Sequence, residues 1–353
     1  AYTVALSGLV NHGLYEAWKS FYSLRAIIVY FWIYQVLRMN RNSNLPGILV
    51  SILLLSGSVA GVWGSMQQLM NFHPFANYPY LQATGFAGHP MAYAGQMEIA
   101  SMLALGFFLS RGYKSLPAPL HNRIVFTLVL FANFAGLLFA SERSAWLGVI
   151  CAVVAVAFMV SKKTFLKVFL SLLLALLIAW FCVPVVKTRI APLFTDYRQD
   201  VSTRVRLEVW GLSLDVFRRH PLVGVGIRHY PAINIPEAIV PGVSDRLVHA
   251  HSNYFHILAT LGIAGFAAYM YLIFRTVAVS LHYWRTARSR QDLFGSGLSM
   301  GVFGAVMALL VAGIFEFNFG TGSVRMIYWF VLALLISDIE PGPASASISP
   351  GSK

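Results

Sequence analysis

Residues 164–183 read "TFLKVFLSLLLALLIAWFCV", and this stretch decides the class of protein. It contains 20 residues and a single charge, that of Lys167. About 20 mostly apolar residues form a helix long enough to cross the hydrocarbon core of a bilayer. The rest of the chain is similar in character: 58% of its residues are hydrophobic, 11% are charged, and the mean hydropathy is +0.67. We therefore expect an all-α polytopic integral membrane protein.

Such apolar runs recur along the whole chain. The division that we predict is N-terminal transmembrane helices over 1–183, one large external loop over 184–251, C-terminal transmembrane helices over 252–338 and a tail over 339–353. We also expect further spans ahead of residue 1, because the opening residues resemble the end of a helix. The predicted spans are 22–38, 45–69, 90–110, 123–140, 143–161, 164–183, 252–274, 294–315 and 325–338.

The charges of the connecting segments predict the orientation. Lys and Arg occur in segments 38–42, 111–123, 161–167 and 275–292, whereas segment 71–90 has none. Positively charged loops stay on the cytoplasmic side of a membrane. We therefore place the first four segments and the tail inside the cell, and segment 71–90 outside.

The large loop is the exception, because it is external by span counting and yet basic. Residues 184–251 hold nine Lys and Arg against six Asp and Glu. One reading is attraction to anionic lipid headgroups; the other is a site for a diphosphate or an anionic glycan, which Arg binds bidentately. The formal net charge of +13 is accounted for by these loops, and we expect no nucleic-acid partner.

Part of this loop has helical periodicity. Residues 200–221 place Val205, Val209, Leu212 and Val216 on one apolar stripe, which predicts an amphipathic helix. Two arginines flank the stripe. Arg204 has Glu208 at i+4 as an intrahelical partner, whereas Arg206 has no acid at i+3 or i+4. Arg206 is therefore predicted to be the freer cation and the better candidate to reach a ligand.

A second candidate arginine lies in the tight hairpin "ASERSAWLG", residues 140–148. Arg143 could pair with Glu142 or extend to the membrane interface. Alternatively, a cation on a short, rigid turn is preorganised to bind a lipid-linked phosphate.

Three histidines occur in "RLVHAHSNYFHILATLG", residues 246–262. His249 and His251 are two apart, which on a helix separates them by about 200°, and His256 is five from His251. Neither spacing suits a helical zinc site, so no metal is expected. Ser252 or Asn253 can cap the following helix and place His251 at its N-terminus. The positive helix end disfavours a protonated imidazole, and a neutral histidine can act as a base.

Three motifs together resemble the bacterial O-antigen ligases and the wider superfamily that includes the O-antigen polymerases. "HSNYFHILATLGIAG" (251–265) is similar to their H-[NSQ]-x9-G-x-x-G pattern. "SERSAWLG" (141–148) resembles their arginine-bearing hairpin, and "RLEVW" (206–210) with "HPLVGVG" (220–226) resembles their external-loop motif.

The resemblance implies a helical bundle like that of the lipid-dependent (GT-C-like) glycosyltransferases, with about twelve helices and one large periplasmic loop. The implied activity transfers O-antigen from undecaprenyl diphosphate onto a sugar of lipid A–core, at the periplasmic face of the inner membrane, without metal or nucleotide. His251 matches the catalytic histidine, Arg143 the hairpin arginine and Arg206 the loop arginine. We assign Arg204 and His249 supporting roles in substrate binding.

Three alternatives stay open at this level. An O-antigen polymerase would join two undecaprenyl-linked glycans, and a protein O-oligosaccharyltransferase would use a protein acceptor. A transporter of an anionic lipid-linked glycan belongs to a different class and predicts charged residues at mid-span together with broken helices. Glu98, near the middle of its span, is the one acidic residue that points in that direction.

Overall fold

A computed structural model describes residues 2–15, 17–18, 25–40, 43–72, 82–195, 201–230 and 249–339. All regular secondary structure in these residues is helical, which confirms the all-α class. The helices are α1 (Tyr2–His12), α2 (Ile27–Met39), α3 (Leu45–Met70), α4 (Pro90–Leu109), α5 (Arg123–Phe139), α6 (Arg143–Val160), α7 (Lys162–Cys182), α8 (Pro184–Thr195), α9 (Val201–Arg219), α10 (Asn253–Ser289), α11 (Leu293–Ala312) and α12 (Gly322–Ile339).

Each predicted span corresponds to a helix. Six helices (α3, α4, α6, α7, α10 and α11) are long and apolar enough to cross a membrane, and α2 and α5 are shorter apolar helices. The chain is therefore a multi-pass membrane protein. Helix α1 lies ahead of the first predicted span, and the predicted tail over 339–353 lies, apart from its first residue, outside the described residues.

One predicted boundary is wrong. Segment 275–292 reads as a basic loop in the sequence, but α10 continues through it to Ser289. The helix persists because one of its faces is buried against the bundle, while Arg285 and Arg288 point outward. The buried residues of this extension are Thr276, Ser280, Tyr283, Trp284 and Ala287.

Helix α11 forms the centre of the bundle and runs antiparallel to α4 and α6. Glycines allow the close contacts: a Cβ on Gly106 of α4 would lie 2.4 Å from the backbone nitrogen of Gly301, and one on Gly148 of α6 would lie 2.5 Å from the Ala308 oxygen. Because the hydrophobic effect does not drive association between helices within lipid, close packing through such small residues stabilises the bundle. The start of α6, the start of α4 and the end of α11 therefore share one end of the bundle.

The amphipathic helix predicted over 200–221 is observed as α9. Val209 is buried, and Val205 and Val216 pack against the same small cluster, which includes Tyr230 and Ala250. The indole of Trp210 stacks on Phe255 at 4.9 Å. Helix α9 is thereby held against the start of α10, and we call this end of the bundle the His251 end.

Candidate active site

The start of α10 is fixed to the segment that follows α11. Ser252, one of the two residues predicted as the cap, is the N-cap: its hydroxyl accepts a hydrogen bond from the Phe255 N–H and donates one to the Gly313 carbonyl. The Asn253 N–H donates to the same carbonyl at 2.8 Å, and its side-chain amide donates to Asn318 at 2.6 Å. These bonds fix the position of the residue just before the cap, which is His251.

His251 has an unusual backbone conformation for a residue with a side chain, with φ at +46°. Its N–H donates to Nδ1 of His249 at 3.3 Å, and the two imidazole centroids lie 4.3 Å apart. Such strain persists only where the surroundings enforce it, and it often occurs at functional sites. The turn brings His249 and His251 side by side, although their sequence spacing rules out one face of a helix.

Glu316 completes the cluster, and the sequence analysis missed it. Its Oε2 lies 3.9 Å from Nδ1 of His251 and 3.7 Å from Nη2 of Arg206, while its Oε1 accepts the Phe317 N–H at 3.1 Å. The residue is only 6% exposed. A signal was present in "GIFEFNFG" (313–320), where a lone acid follows an apolar span. Its partners are 65 and 110 residues away, so spacing could not reveal them.

Arg206 is held more firmly than we predicted. It has no intrahelical acid, as expected, but Glu316 supplies a distant one. Its Nε donates to the Phe315 carbonyl at 2.8 Å, and its Nη1 donates to the carbonyl and hydroxyl of Ser202. The prediction that Arg206 is the freer cation is therefore wrong, because α9 packs directly on the chain after α11. Arg206 instead links that helix to the cluster.

Electrostatics favour an ionised Glu316 beside neutral His249. Burial opposes ionisation of Glu316, but its interaction with His251 and the charges of His249 and Arg206 outweigh this and lower the pKa of the carboxyl. Burial, together with the charge of His251, lowers the pKa of His249 to about 4. The cluster thus combines a fixed negative charge with an imidazole that is uncharged at neutral pH.

Two further histidines lie next to the cluster. His256 is buried within α10 and packs on Phe317, with a distance of 3.7 Å between the ring centroids. His89 precedes α4, and its Nδ1 accepts the Met91 N–H at 3.3 Å. His89 is close enough to Glu316 and His251 to interact with their charges. Sequence analysis had not selected it.

The remaining predicted site residues are less central. Arg143 is half-buried and begins α6, so it lies at the His251 end. Arg204 is exposed on α9, as is Glu208. The structure thus brings His249, His251 and Arg206 together around Glu316, and it places Arg143 at the same end of the bundle.

The spacing argument against a metal considered only the histidines. With Glu316 included, His249, His251 and the carboxylate each offer one donor atom, and these atoms lie within 4.8 Å of one another. Such a set could hold a divalent ion.

The fold and site define a multi-pass membrane protein with a histidine–carboxylate–arginine cluster at one end of its bundle. Residues 126–270 match the sequence model of a family described as O-antigen ligase. This match runs from α5 through α9 and His251 to the middle of α10, and over these residues the chain is similar to the O-antigen ligase family. No curated protein matches the chain.

Proposed function

We propose that this protein is an O-antigen ligase, which transfers O-antigen polysaccharide from undecaprenyl diphosphate to a sugar hydroxyl of lipid A–core. The observation that supports this most strongly is the cluster of His251, Glu316 and Arg206. It combines a candidate base, a carboxylate that faces it and a cation, and the base and the cation lie within the residues that match the ligase family. The reaction belongs to lipopolysaccharide biosynthesis.

His251 is the proposed general base. With Nδ1 facing Glu316 at 3.9 Å, its Nε2 is left to accept the proton of the acceptor hydroxyl. The acceptor oxygen attacks the anomeric carbon of the donor glycan, and the bond from that carbon to the diphosphate oxygen breaks. Undecaprenyl diphosphate leaves with the electron pair, and a direct displacement inverts the anomeric centre. Glu316 stabilises the imidazolium, as the carboxylate does in other histidine-based sites.

The arginines are proposed to act on the diphosphate. Arg143 sits at the start of α6, where the positive helix end adds to its charge. Arg206 has a double role: it anchors Glu316, and its partly exposed guanidinium offers positive charge to the leaving group. Arg204 and His249 are proposed to help bind the substrate. The donor's own anomeric phosphoester bond supplies the driving force, so no nucleotide or metal is required.

Membrane sidedness is part of the same proposal. The basic segments between spans support a His251 end on the periplasmic face of the bacterial inner membrane. Lipid-linked donor and lipid A–core would both meet the cluster there.

The test is a defined reaction with purified full-length protein, undecaprenyl diphosphate-linked O-antigen and lipid A–core, without ATP or added metal. A ladder of O-antigen on the core supports the ligase. Lengthening of the lipid-linked glycan without any product on the core contradicts it and favours a polymerase. Absence of both products contradicts glycosyl transfer by this chain.

A further inference from the structure

The cluster around Glu316 contains more ligand atoms than proton transfer uses. Glu316 Oε2 and His251 Nδ1 are both buried, and neither has a hydrogen-bond partner among the described residues. Buried polar atoms normally have one. His249 offers a third donor atom, and the three lie within 4.8 Å of one another. Glu316 itself is more than nine-tenths buried.

The chemistry of these donors selects the ion. Two imidazole nitrogens and one carboxylate oxygen suit Zn²⁺, which accepts three protein ligands and keeps a fourth position open. Mg²⁺ and Ca²⁺ prefer oxygen ligands, whereas two of the three donors here are imidazole nitrogens. The donor set therefore favours a borderline ion over a hard one.

The donor atoms are farther apart than in an occupied site. Zinc bonds of about 2.0–2.1 Å in a tetrahedron place neighbouring donors about 3.4 Å apart, against 3.9 Å between His251 Nδ1 and Glu316 Oε2 and up to 4.8 Å within the whole set. Side-chain rotations must therefore bring the three donors together when an ion binds. Arg206 does not saturate the carboxylate, because its Nη2 lies 3.7 Å away, beyond hydrogen-bond length, while its other nitrogens bind Phe315 and Ser202.

We propose that His249, His251 and Glu316 bind one Zn²⁺ ion, and that the bound ion switches the active site off. A neutral imidazole has one nitrogen lone pair. If zinc binds the lone pair on Nδ1 of His251, the ring proton must be on Nε2. Nε2 then cannot accept a second proton from the acceptor hydroxyl. The ion also occupies the carboxylate that stabilises the imidazolium. Inhibition rests on the proposed role of His251, whereas zinc binding does not.

Binding is tested first, by calorimetric titration of chelator-treated full-length protein, without a polyhistidine tag, with ZnCl₂. We expect one ion per chain with micromolar affinity. His249→Asn and Glu316→Gln should each weaken binding by more than about tenfold, while His282→Asn, at an exposed histidine of α10, should not change it. Absence of zinc binding in the unmodified protein overturns the site. So does a zinc affinity of both cluster variants that equals the affinity of the unmodified protein.

A spectroscopic measurement on the unmodified protein avoids any folding defect of the variants. Co²⁺ in place of Zn²⁺ should give the intense visible absorption of a four-coordinate site, displaced by equimolar zinc. A weak six-coordinate spectrum overturns the assigned ligand set.

The transfer assay then tests inhibition. Stoichiometric zinc should abolish transfer, and a chelator should restore it; unchanged or faster transfer with zinc bound overturns the switch. A protein that binds zinc but transfers nothing in zinc-free buffer contradicts the proposed function and leaves the binding site supported. The two claims therefore fail separately.

Discussion

At the scale of single residues, the site depends on a carboxylate whose partners no local pattern indicates. Glu316 faces His251 at 3.9 Å and Arg206 at 3.7 Å, and its second oxygen is held by a backbone N–H. A buried charge is tolerated only when it is paired and hydrogen-bonded. Because the carboxylate faces Nδ1 of His251 at 3.9 Å, we propose Glu316 as a positioning residue for the proposed base.

Replacing Glu316 tests this role. Glu316→Gln keeps the shape but removes the charge, so we expect kcat of transfer to fall by at least roughly tenfold, with KM little changed and Glu316→Asp partly restoring the rate. Asp215→Asn is the matched control, because Asp215 pairs with Arg218 on the exposed face of α9. A normal kcat in the Gln variant, or a fall in kcat/KM that comes entirely from KM, would show that Glu316 does not act in the transfer step.

The guanidinium of Arg206 provides a second test at this scale. Lysine keeps the charge but cannot donate to both Phe315 and Ser202 while facing Glu316. We expect Arg206→Lys to lower kcat/KM by about tenfold or more. Arg218→Lys, whose side chain is exposed, should leave it unchanged. Equal activity of the two variants would show that charge alone suffices at position 206.

At the scale of elements, the break in α10 is what allows α9 and its loop to dock. Gly262 has φ +63° and ψ −165°, a conformation that only glycine adopts readily. The chain after α9 satisfies the freed backbone groups: the Ile263 N–H donates to Pro221, and the Gly226 N–H donates to Thr260. The motifs around 220–226 and 259–265 are therefore two halves of one backbone contact.

This contact predicts a large effect of one methyl group. A Cβ at Gly262 would lie 2.5 Å from the Leu222 carbonyl, so Gly262→Ala should cost more than about 1–3 kcal/mol and lower the thermal unfolding midpoint, with loss of transfer. Gly211→Ala is the control, because nothing lies within 4 Å of its Cβ position and α9 should gain about 0.5–1 kcal/mol. Equal unfolding midpoints for the two variants would disprove the contact.

At the scale of the whole molecule, the arrangement of the bundle follows from composition more than from any motif. The nine predicted spans correspond to helices, and α11 crosses α4 and α6 through glycines. Three buried acidic residues lie within or beside this core in the described part of the chain: Glu142 and Glu316 at its end, and Glu98, 2% exposed, inside α4. An acidic residue at mid-span also fits the transporter alternative, but Glu98 is a single residue, and the match to the ligase family supports transfer chemistry.

Sidedness is the prediction that belongs to this scale. In a protein lacking Cys151 and Cys182, a cysteine at Phe86 should react with an impermeant maleimide in spheroplasts, because segment 71–90 is expected outside. A cysteine at Ser289, at the end of α10, should react only after lysis; both positions are described as exposed. Labelling in the reverse order would place the His251 end in the cytoplasm and contradict the proposed periplasmic site.

Comparison of sequence and structure shows which parts were predictable. The lengths of the apolar runs predicted the spans, and the stripe of Val205, Val209 and Val216 predicted α9. The capping residues predicted that His251 stands at the start of α10. These signals are local. The partners of Arg206 and the extension of α10 to Ser289 were missed, because both depend on contacts between segments far apart in the chain.

The most direct measurement of the central claim is the transfer reaction with His251→Ala, compared with His282→Ala in the same preparation. His251 lies at the cluster, whereas His282 is exposed on the distal part of α10. Loss of a general base costs about 100-fold or more, so we predict no ladder on lipid A–core for His251→Ala, with donor binding retained, and a normal ladder for His282→Ala. A normal ladder from His251→Ala would contradict the account.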